Sequence, residues 1–227
     1  MSFNKENIDT PFIQAAGVLN TEEARMLVKA GFTYLGYPLS LDFHAEDMSA
    51  EEVAKTVNDL GDICKHVVIT YLDTSGAVTE LLNKVGTDLV QLHGEISIDE
   101  VIKLHKGGIK IIKSLIIGKY SDEKIKEIVS EFEPYVFAFI TDTFDPDTGA
   151  SGATGKTHDW AISKKIVELS KKPIIIAGGL NPNNLENAIK EISPWGVDVH
   201  TGIEDETGKK VFGRSEEFVK IALKNLK

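Results

Sequence analysis

The chain has 227 residues, 42% of them hydrophobic and 26% charged, with a formal net charge of -10. That length suits one α/β barrel or one to two smaller domains and is enough to bury a sizeable core. The acidic balance argues against nucleic acid, whose phosphates need a clustered basic surface, and against anionic membrane surfaces; a small phosphorylated ligand stays open, because backbone amides can bind one phosphate without basic side chains.

Short apolar runs alternate with amphipathic stretches along the whole chain. FIQAA (12–16) reads as the first strand. Asn20 or Thr21 then opens TEEARMLVKAG, where Glu22 and Glu23 suit a helix N-terminus and Gly31 closes it. FTYLGY (32–37) is followed by SAEEVAKTVNDLG, opened by Ser49 and ended by Gly61. HVVITYL (66–72), DLVQLH (88–93) and IKIIKSLII (109–117) are strand candidates, each followed by a helical stretch: SGAVTELLNKVG, SIDEVIKLHKGG and SDEKIKEIVSEF. YVFAFI (135–140) precedes HDWAISKKIVELS, and KPIIIAG (172–178) precedes NPNNLENAIKEI, with Pro182 in the first turn of that helix and Asn181 as its cap. WGVDVH (195–200) and GRSEEFVKIALKNL end the series. Several strands are continuous Val/Ile/Phe runs, the pattern of parallel strands covered on both faces.

Eight strand–helix units, with no linker, repeat or low-complexity segment to divide them, predict a single (β/α)8 TIM barrel over residues 1–227. A doubly wound open sheet is the alternative, but no GxGxxG follows the first strand. A barrel puts its chemistry in the loops at the C-terminal strand ends, with phosphate commonly held after strands seven and eight. Three glycine-bearing loops fall there: 149-GASGATG-155 with Gly152 and Gly155, 177-AGGLNPNNLE-186 with Gly178 and Gly179, and 198-DVHTGIED-205 with His200, Thr201 and Gly202. Two features of the backbone make such loops anion sites: glycine permits close approach, and a helix start offers free N–H groups. Asp142 stands at the end of the sixth apolar run, directly before one of these loops.

VQLHG (90–94), TDT with GATGKTHDW (141–143 and 152–160), AGGLNP (177–182) and GVDVHTGIE (196–204) resemble the phosphoribosylanthranilate isomerase family over nearly the whole chain. The resemblance implies an Amadori rearrangement of an aminoaldose phosphate to an aminoketose phosphate. It places the family's general acid, an aspartate at the end of strand six, on Asp142. It implies that Gln91, His93 and Lys113 line the substrate. The family's base, a cysteine at the end of strand one, falls on Ala16 within QAAGV (14–18), and the preceding lysine position falls on Gln14. The arginine that pairs with the anthranilate carboxylate falls near Glu46, in a loop that also carries Asp42 and Asp47 and whose one basic candidate is His44.

An alanine carries no exchangeable proton, so His44 and His200 are the candidate substitute bases. His200 is also open to phosphate binding or to a capping role. Cys64, the single cysteine, lies toward the other end of the barrel and reads as a small buried hydrophobe; it permits no internal disulfide and no cysteine metal site. His105 and His158 read as surface residues and His66 as preceding strand three, away from the site. Asp145 and Asp147 resemble a polar turn, and no His/Asp/Glu spacing indicates a metal. No apolar signal core or membrane-length apolar run is present, so a cytoplasmic protein is expected. The sequence therefore predicts a phosphorylated small-molecule substrate, no cofactor, no nucleic-acid or membrane partner, and a monomer or homodimer. Two functions compete: a sugar-phosphate isomerase with an altered base and an altered anthranilate end, or a non-catalytic barrel that binds a phosphorylated ligand as a sensor or partner subunit.

Overall fold

Alternating strands and helices close into one barrel in a computed structural model that describes residues 11–41, 46–143 and 160–226. The strands are β1 (Phe12–Ala16), β2 (Tyr34–Pro38), β3 (Lys65–Thr70), β4 (Leu89–Leu92), β5 (Lys110–Ile117), β6 (Ala138–Thr143), β7 (Ile174–Ile176) and β8 (Gly196–Val199). The helices are α1 (Thr21–Ala30), α2 (Ala50–Leu60), α3 (Ser75–Val85), α4 (Ile98–Lys106), α5 (Asp122–Phe132), α6 (Trp160–Leu169), α7 (Leu185–Ile192) and α8 (Phe212–Asn225). Each strand pairs in parallel with the next, and β8 returns to β1, with Gln14 opposite Asp198. No helix among the described residues is long and apolar enough to cross a membrane.

Local chemistry sets the helix ends. Asn20 accepts the Glu23 N–H at 2.9 Å to cap α1, and Gly31 ends that helix in the left-handed conformation. Ser49 and Glu52 form a reciprocal capping box at the start of α2. Strand alternation then divides the core in two. One set of side chains, including Ile13, Leu35, Val90, Ile111 and Phe139, packs against the helices. The other set, including Phe12, Ala16, Ile69, Ile112, Ile140 and Ile175, fills the barrel.

The two ends of the barrel differ in kind. At the N-terminal end the ring of Phe12 stacks on Tyr34 at 3.9 Å, and Trp195 packs against both Phe12 and Phe137. At the C-terminal end polar side chains join the buried inward positions, Gln14, Gln91, His93, Ser114, Asp142 and Asp198, beside apolar Ala16, Ile69 and Ala177. A polar interior must be hydrogen-bonded or functional, so this end is the place to look for chemistry.

Several element bounds differ from the sequence reading: β2 begins at Tyr34, and β7 spans only Ile174–Ile176. The sixth strand begins at Ala138, not Tyr135, because the chain is still leaving α5: Tyr135 N–H donates to Phe132 O at 2.9 Å. The strand consequently runs to Thr143, and Asp142 is a strand residue, paired with Ile116. The seventh helix is regular from Leu185, but the turn before it already carries a helical bond, Leu185 N–H to Asn181 O at 3.1 Å, so Pro182 lies in the first turn and Asn181 caps it as the sequence predicts. Asn181 Oδ1 accepts the Asn183 N–H at 2.9 Å and the Asn184 side chain accepts the Asn181 N–H at 2.9 Å, a reciprocal pair that caps this turn.

Candidate active site

Two carboxylates enter the barrel mouth from different strands. Asp142 follows Ala138 and Ile140 on the inward face of β6, and Asp198 follows Gly196 on the inward face of β8; each is 8% exposed. Asp142 Oδ1 accepts the Thr143 N–H at 2.8 Å. Burial raises the Asp142 pKa, while the charge of His93 and the Thr143 N–H pull it back. Asp198 is pushed up to about 7, first by burial and then by the negative charge of Asp142; Gln14 and Lys210 oppose that rise. Asp198 Oδ1 is buried and has no hydrogen-bond donor. Asp198 escaped the sequence reading although it lies inside GVDVHTGIE; the signal available there was the alternation of Gly196, Asp198 and His200 on one face.

The β4 exit supplies a second polar group. Gln91 accepts from Gln14 Nε2 across the barrel at 3.2 Å. His93 Nδ1 lies 3.0 Å from Ser114 Oγ, and its ring meets Tyr71 edge-on at 5.1 Å. Gln91 and His93 therefore sit where the sequence places them. Lys113 differs. By alternation it shares the helix-side face of Ile111 and Leu115, and its Nζ donates to Gly94 O at 2.9 Å and Leu92 O at 3.3 Å. It braces the strand-four exit from beneath and stands outside the ring of inward side chains. Burial brings its pKa down to about 8.

At the β1 end, Ala16 offers only a methyl group to the barrel interior. The next residue, Gly17, lies against His200: a Cβ at position 17 would stand 2.1 Å from His200 Nε2. His200 Nε2 is also 3.4 Å from Glu204 Oε1. Burial, and then the nearby Lys210 ammonium, lower the His200 pKa to about 4, so the imidazole is neutral at ordinary pH. Lys210 has a side chain with 0% exposure. Its Nζ donates to Gly17 O and to Glu204 Oε1, the latter at 3.2 Å, and lies 3.8 Å from Glu23 Oε2. Its backbone N–H donates to Glu23 Oε1 at 3.0 Å. This cluster joins β1, α1 and the segment after β8. Sequence reasoning missed it, since nothing local in Glu23 or Lys210 announces a partner so distant in the chain.

The loops after β7 and β8 meet. Gly178 has φ +91, and a Cβ there would lie 2.2 Å from Thr143 Oγ1; a Cβ on Gly202 would lie 1.8 Å from Leu180 O. Only glycine lets the two backbones approach this closely. The Asn184 amide donates to Gly179 O at 2.9 Å and fixes the loop's orientation. The N–H groups of Gly178, Gly179, Thr201 and Gly202 have no acceptor among the described residues. Unengaged amides on glycine loops are the kind of group that binds an anion. Gly152, Gly155 and His44 lie outside the described residues. In the loop after β2, Glu46 accepts the Ser40 N–H, and burial raises the Asp47 pKa. Among the described residues no group of three His, Cys, Asp or Glu is placed to hold a metal ion.

Away from the mouth, His66 is buried within β3, where Nδ1 lies 3.1 Å from Tyr37 Oη and Nε2 lies 3.2 Å from Gly61 O. Cys64 is a buried free thiol whose pKa burial pushes up to about 11. Neither approaches the polar end of the barrel.

Comparison with known proteins gives this geometry a family. The model of N-(5'phosphoribosyl)anthranilate (PRA) isomerase matches residues 13–220. The chain belongs to the phosphoribosylanthranilate isomerase family. An N-(5'-phosphoribosyl)anthranilate isomerase of Aquifex aeolicus is 37% identical over 92% of this chain and 96% of its own. A second such protein, N-(5'-phosphoribosyl)anthranilate isomerase 2 of Methanosarcina mazei, is 35% identical over 87% of this chain and 88% of its own. The crystal structure of phosphoribosyl anthranilate isomerase from Thermotoga maritima superposes with a TM-score of 0.80 at 26% identity, covering 95% of this chain and 100% of that one. The family match takes in the whole of the site described above, from Gln14 to Lys210.

Proposed function

We propose that this chain performs the aldose–ketose isomerisation of its family on a phosphorylated aminosugar, with Asp142 as general acid. The observation that carries the reading is Asp142 itself: a carboxyl buried at the polar end of the barrel, with a raised pKa, close to the two glycine loops. A carboxyl that keeps its proton can deliver it to the furanose ring oxygen. The ring C–O bond then breaks and the nitrogen lone pair forms an iminium at C1. Loss of the C2 proton gives an aminoenol, which becomes the ketone. The amides of Gly178, Gly179, Thr201 and Gly202, without an acceptor among the described residues, suit the substrate's phosphate, and Gln91 and His93, buried at the polar end, suit the sugar.

The test is a fluorescence assay of phosphoribosylanthranilate turnover by the protein and by Asp142→Asn. Turnover is expected, with kcat lowered by about 10²–10⁴ in the variant, the ordinary contribution of a general acid. An unchanged kcat in Asp142→Asn would remove that residue from the mechanism.

Two observations support narrower alternatives. Glu46 and Asp47 stand in the loop where the resemblance puts the arginine for the anthranilate carboxylate, so the site suits an aminoaldose phosphate whose nitrogen substituent is not anionic. Ala16 at the base position favours a non-catalytic phosphate-binding barrel. Binding of phosphorylated aminosugars without turnover of any of them supports the latter; turnover restricted to carboxylate-free substrates supports the former.

A further inference from the structure

We propose that Asp198 is the second proton-transfer group of this site, the base that Ala16 cannot supply, and that it shares one proton with Asp142. The proposal rests on the isomerase reading for its substrate but not for its electrostatics.

Position comes first. β8 is hydrogen-bonded to β1, and Asp198 is opposite Gln14, one inward position below Ala16. The carboxylate therefore enters the mouth on the β1 side, beside the place where a side chain longer than alanine would carry the base. Asp142 enters from β6. A substrate ring lying across the mouth has one carboxyl toward each side.

The second point is the orphan oxygen. Asp198 Oδ1 is buried with no donor, in a residue that is more than nine-tenths buried. A buried acceptor left unbonded is destabilising, and native interiors seldom keep one without a use. The Gln14 side chain bonds the same carboxyl, so Oδ1 is the oxygen whose lone pairs no other group engages, and a base needs such an oxygen.

The third point is the charge environment. The inward residues of β1 are Phe12, Gln14 and Ala16, and those of β7 are Ile175 and Ala177, none of them ionisable. His200, next inward on β8 itself, is turned against Gly17 and Glu204. The ionisable groups acting on Asp198 are Asp142 and the Lys210 ammonium, and Asp142 in turn feels His93. Two buried carboxylates that repel each other do not readily ionise together, so the pair holds one proton between them near neutrality. That state is one acid and one base; the shared proton can sit on either carboxyl, and the form with it on Asp142 is the one the reaction uses.

The proton accounting closes without any other reactant. Asp142 gives its proton to the ring oxygen as the C1–O bond breaks and its electron pair leaves with oxygen. Asp198 takes the C2 proton, and the C–H electrons form C1=C2 while the iminium electrons return to nitrogen. In ketonisation the proton on Asp198 passes to C1 and the enol hydroxyl returns a proton to Asp142. The pair ends as it began, and the substrate is isomerised with no net change in oxidation state.

The experiment uses the full chain in three forms: unmodified, Asp198→Asn, and Asp198→Asn with Ala16→Cys. With phosphoribosylanthranilate, Asp198→Asn is expected to lower kcat by about 10²–10⁴ with KM little changed, the ordinary contribution of a positioned base. Adding Ala16→Cys is expected to recover at least about tenfold, because a thiolate at position 16 takes over the same proton. The acid limb of kcat/KM near pH 7 is expected to vanish in Asp198→Asn. Wild-type kcat in Asp198→Asn, or persistence of the limb, overturns the proposal. Carbon-13 NMR titration of the aspartate carboxyl carbons separates this from the choice of substrate. A midpoint for Asp198 near 7 that falls in Asp142→Asn supports the shared proton even where phosphoribosylanthranilate is not turned over, an outcome that faults the substrate alone. An Asp198 midpoint in the ordinary aspartate range, near about 4, overturns the proposal whatever the turnover.

Discussion

Lys210→Met should be among the most damaging single changes outside the hydrophobic core. The lysine side chain is wholly buried, against Glu23 with a side chain 8% exposed and Glu204 at 13%. Removing it leaves two enclosed carboxylates without their cation and Gly17 O without its donor. Deleting one partner of a buried ion pair costs about 3–5 kcal/mol, far more than the pair contributes relative to an apolar replacement, because the stranded charge keeps its desolvation penalty. For a domain of this size each kcal/mol moves the midpoint about 2–4 °C, so the melting temperature should fall by roughly 6–20 °C. Differential scanning calorimetry at pH 7 measures it. Two comparisons sharpen the reading. Lys65, paired at 3.1 Å with Asp62 where the two side chains are 57% and 100% exposed, should cost under about 1 kcal/mol when changed to Ala. The triple change Lys210→Met, Glu23→Gln, Glu204→Gln removes the stranded charges as well and should regain most of the loss. A Lys210→Met penalty no larger than that of Lys65→Ala would refute the claim that the cluster is desolvated and holds the β1 and β8 exits together.

Other expectations concern pH, the phosphate loops and specificity. The Asp198 pKa is about 7 when folded and about 3.9 when unfolded, so the unfolded chain ionises first and Asp198 subtracts stability as pH rises from about 4 to about 7, by up to roughly 4 kcal/mol shared with Asp142. Asp198→Asn should therefore melt higher than the unmodified protein at pH 8 and nearly level with it at pH 4; equal melting at both pH values would contradict the burial of a charge there. Gly202→Ala forces a Cβ to within 1.8 Å of Leu180 O, so the two loops must separate. Losing one or two charge-assisted bonds to phosphate, about 1.5–3 kcal/mol each, should raise KM at least about tenfold while kcat changes less. Steady-state kinetics with the phosphorylated substrate checks it, and an unchanged KM would move the phosphate elsewhere. Glu46→Arg should raise kcat/KM for phosphoribosylanthranilate, since a guanidinium there can meet the anthranilate carboxylate; no gain in a competition assay would mean the loop does not face that group.

What was legible in the sequence divides along the distance over which a signal acts. The β1 strand needs only its own five residues, and its bounds in the sequence and the structure coincide. Helix starts at Asn20 and Ser49 are legible because a cap bonds to a backbone N–H three residues on. β6 was displaced because Tyr135 and Val136 carry strand propensity but are used to finish the turn after α5, and the register with β5 outweighs that propensity. The cap at Asn181 is legible as those at Asn20 and Ser49 are, since its Oδ1 accepts the Asn183 N–H and its carbonyl the Leu185 N–H.

The site follows the same rule with a chemical consequence. Asp142 could be found because a carboxylate at a strand end before a glycine loop is a local pattern. Asp198 has the same chemistry, but its significance depends on three things no local window contains: the pairing of β8 with β1, the charge on β6, and the absence of a donor for Oδ1. The sequence offers His200, with His44, as a substitute base because histidine titrates near neutrality in water. In the folded chain burial and Lys210 draw its pKa to about 4 and its ring rests on Gly17, while burial and Asp142 bring the Asp198 carboxyl to about 7. Side-chain identity alone therefore points to the histidine and passes over the aspartate. The fold exchanges their pKa values, leaving the histidine as a neutral mouth residue and making the aspartate the group able to accept a proton and return it at neutral pH.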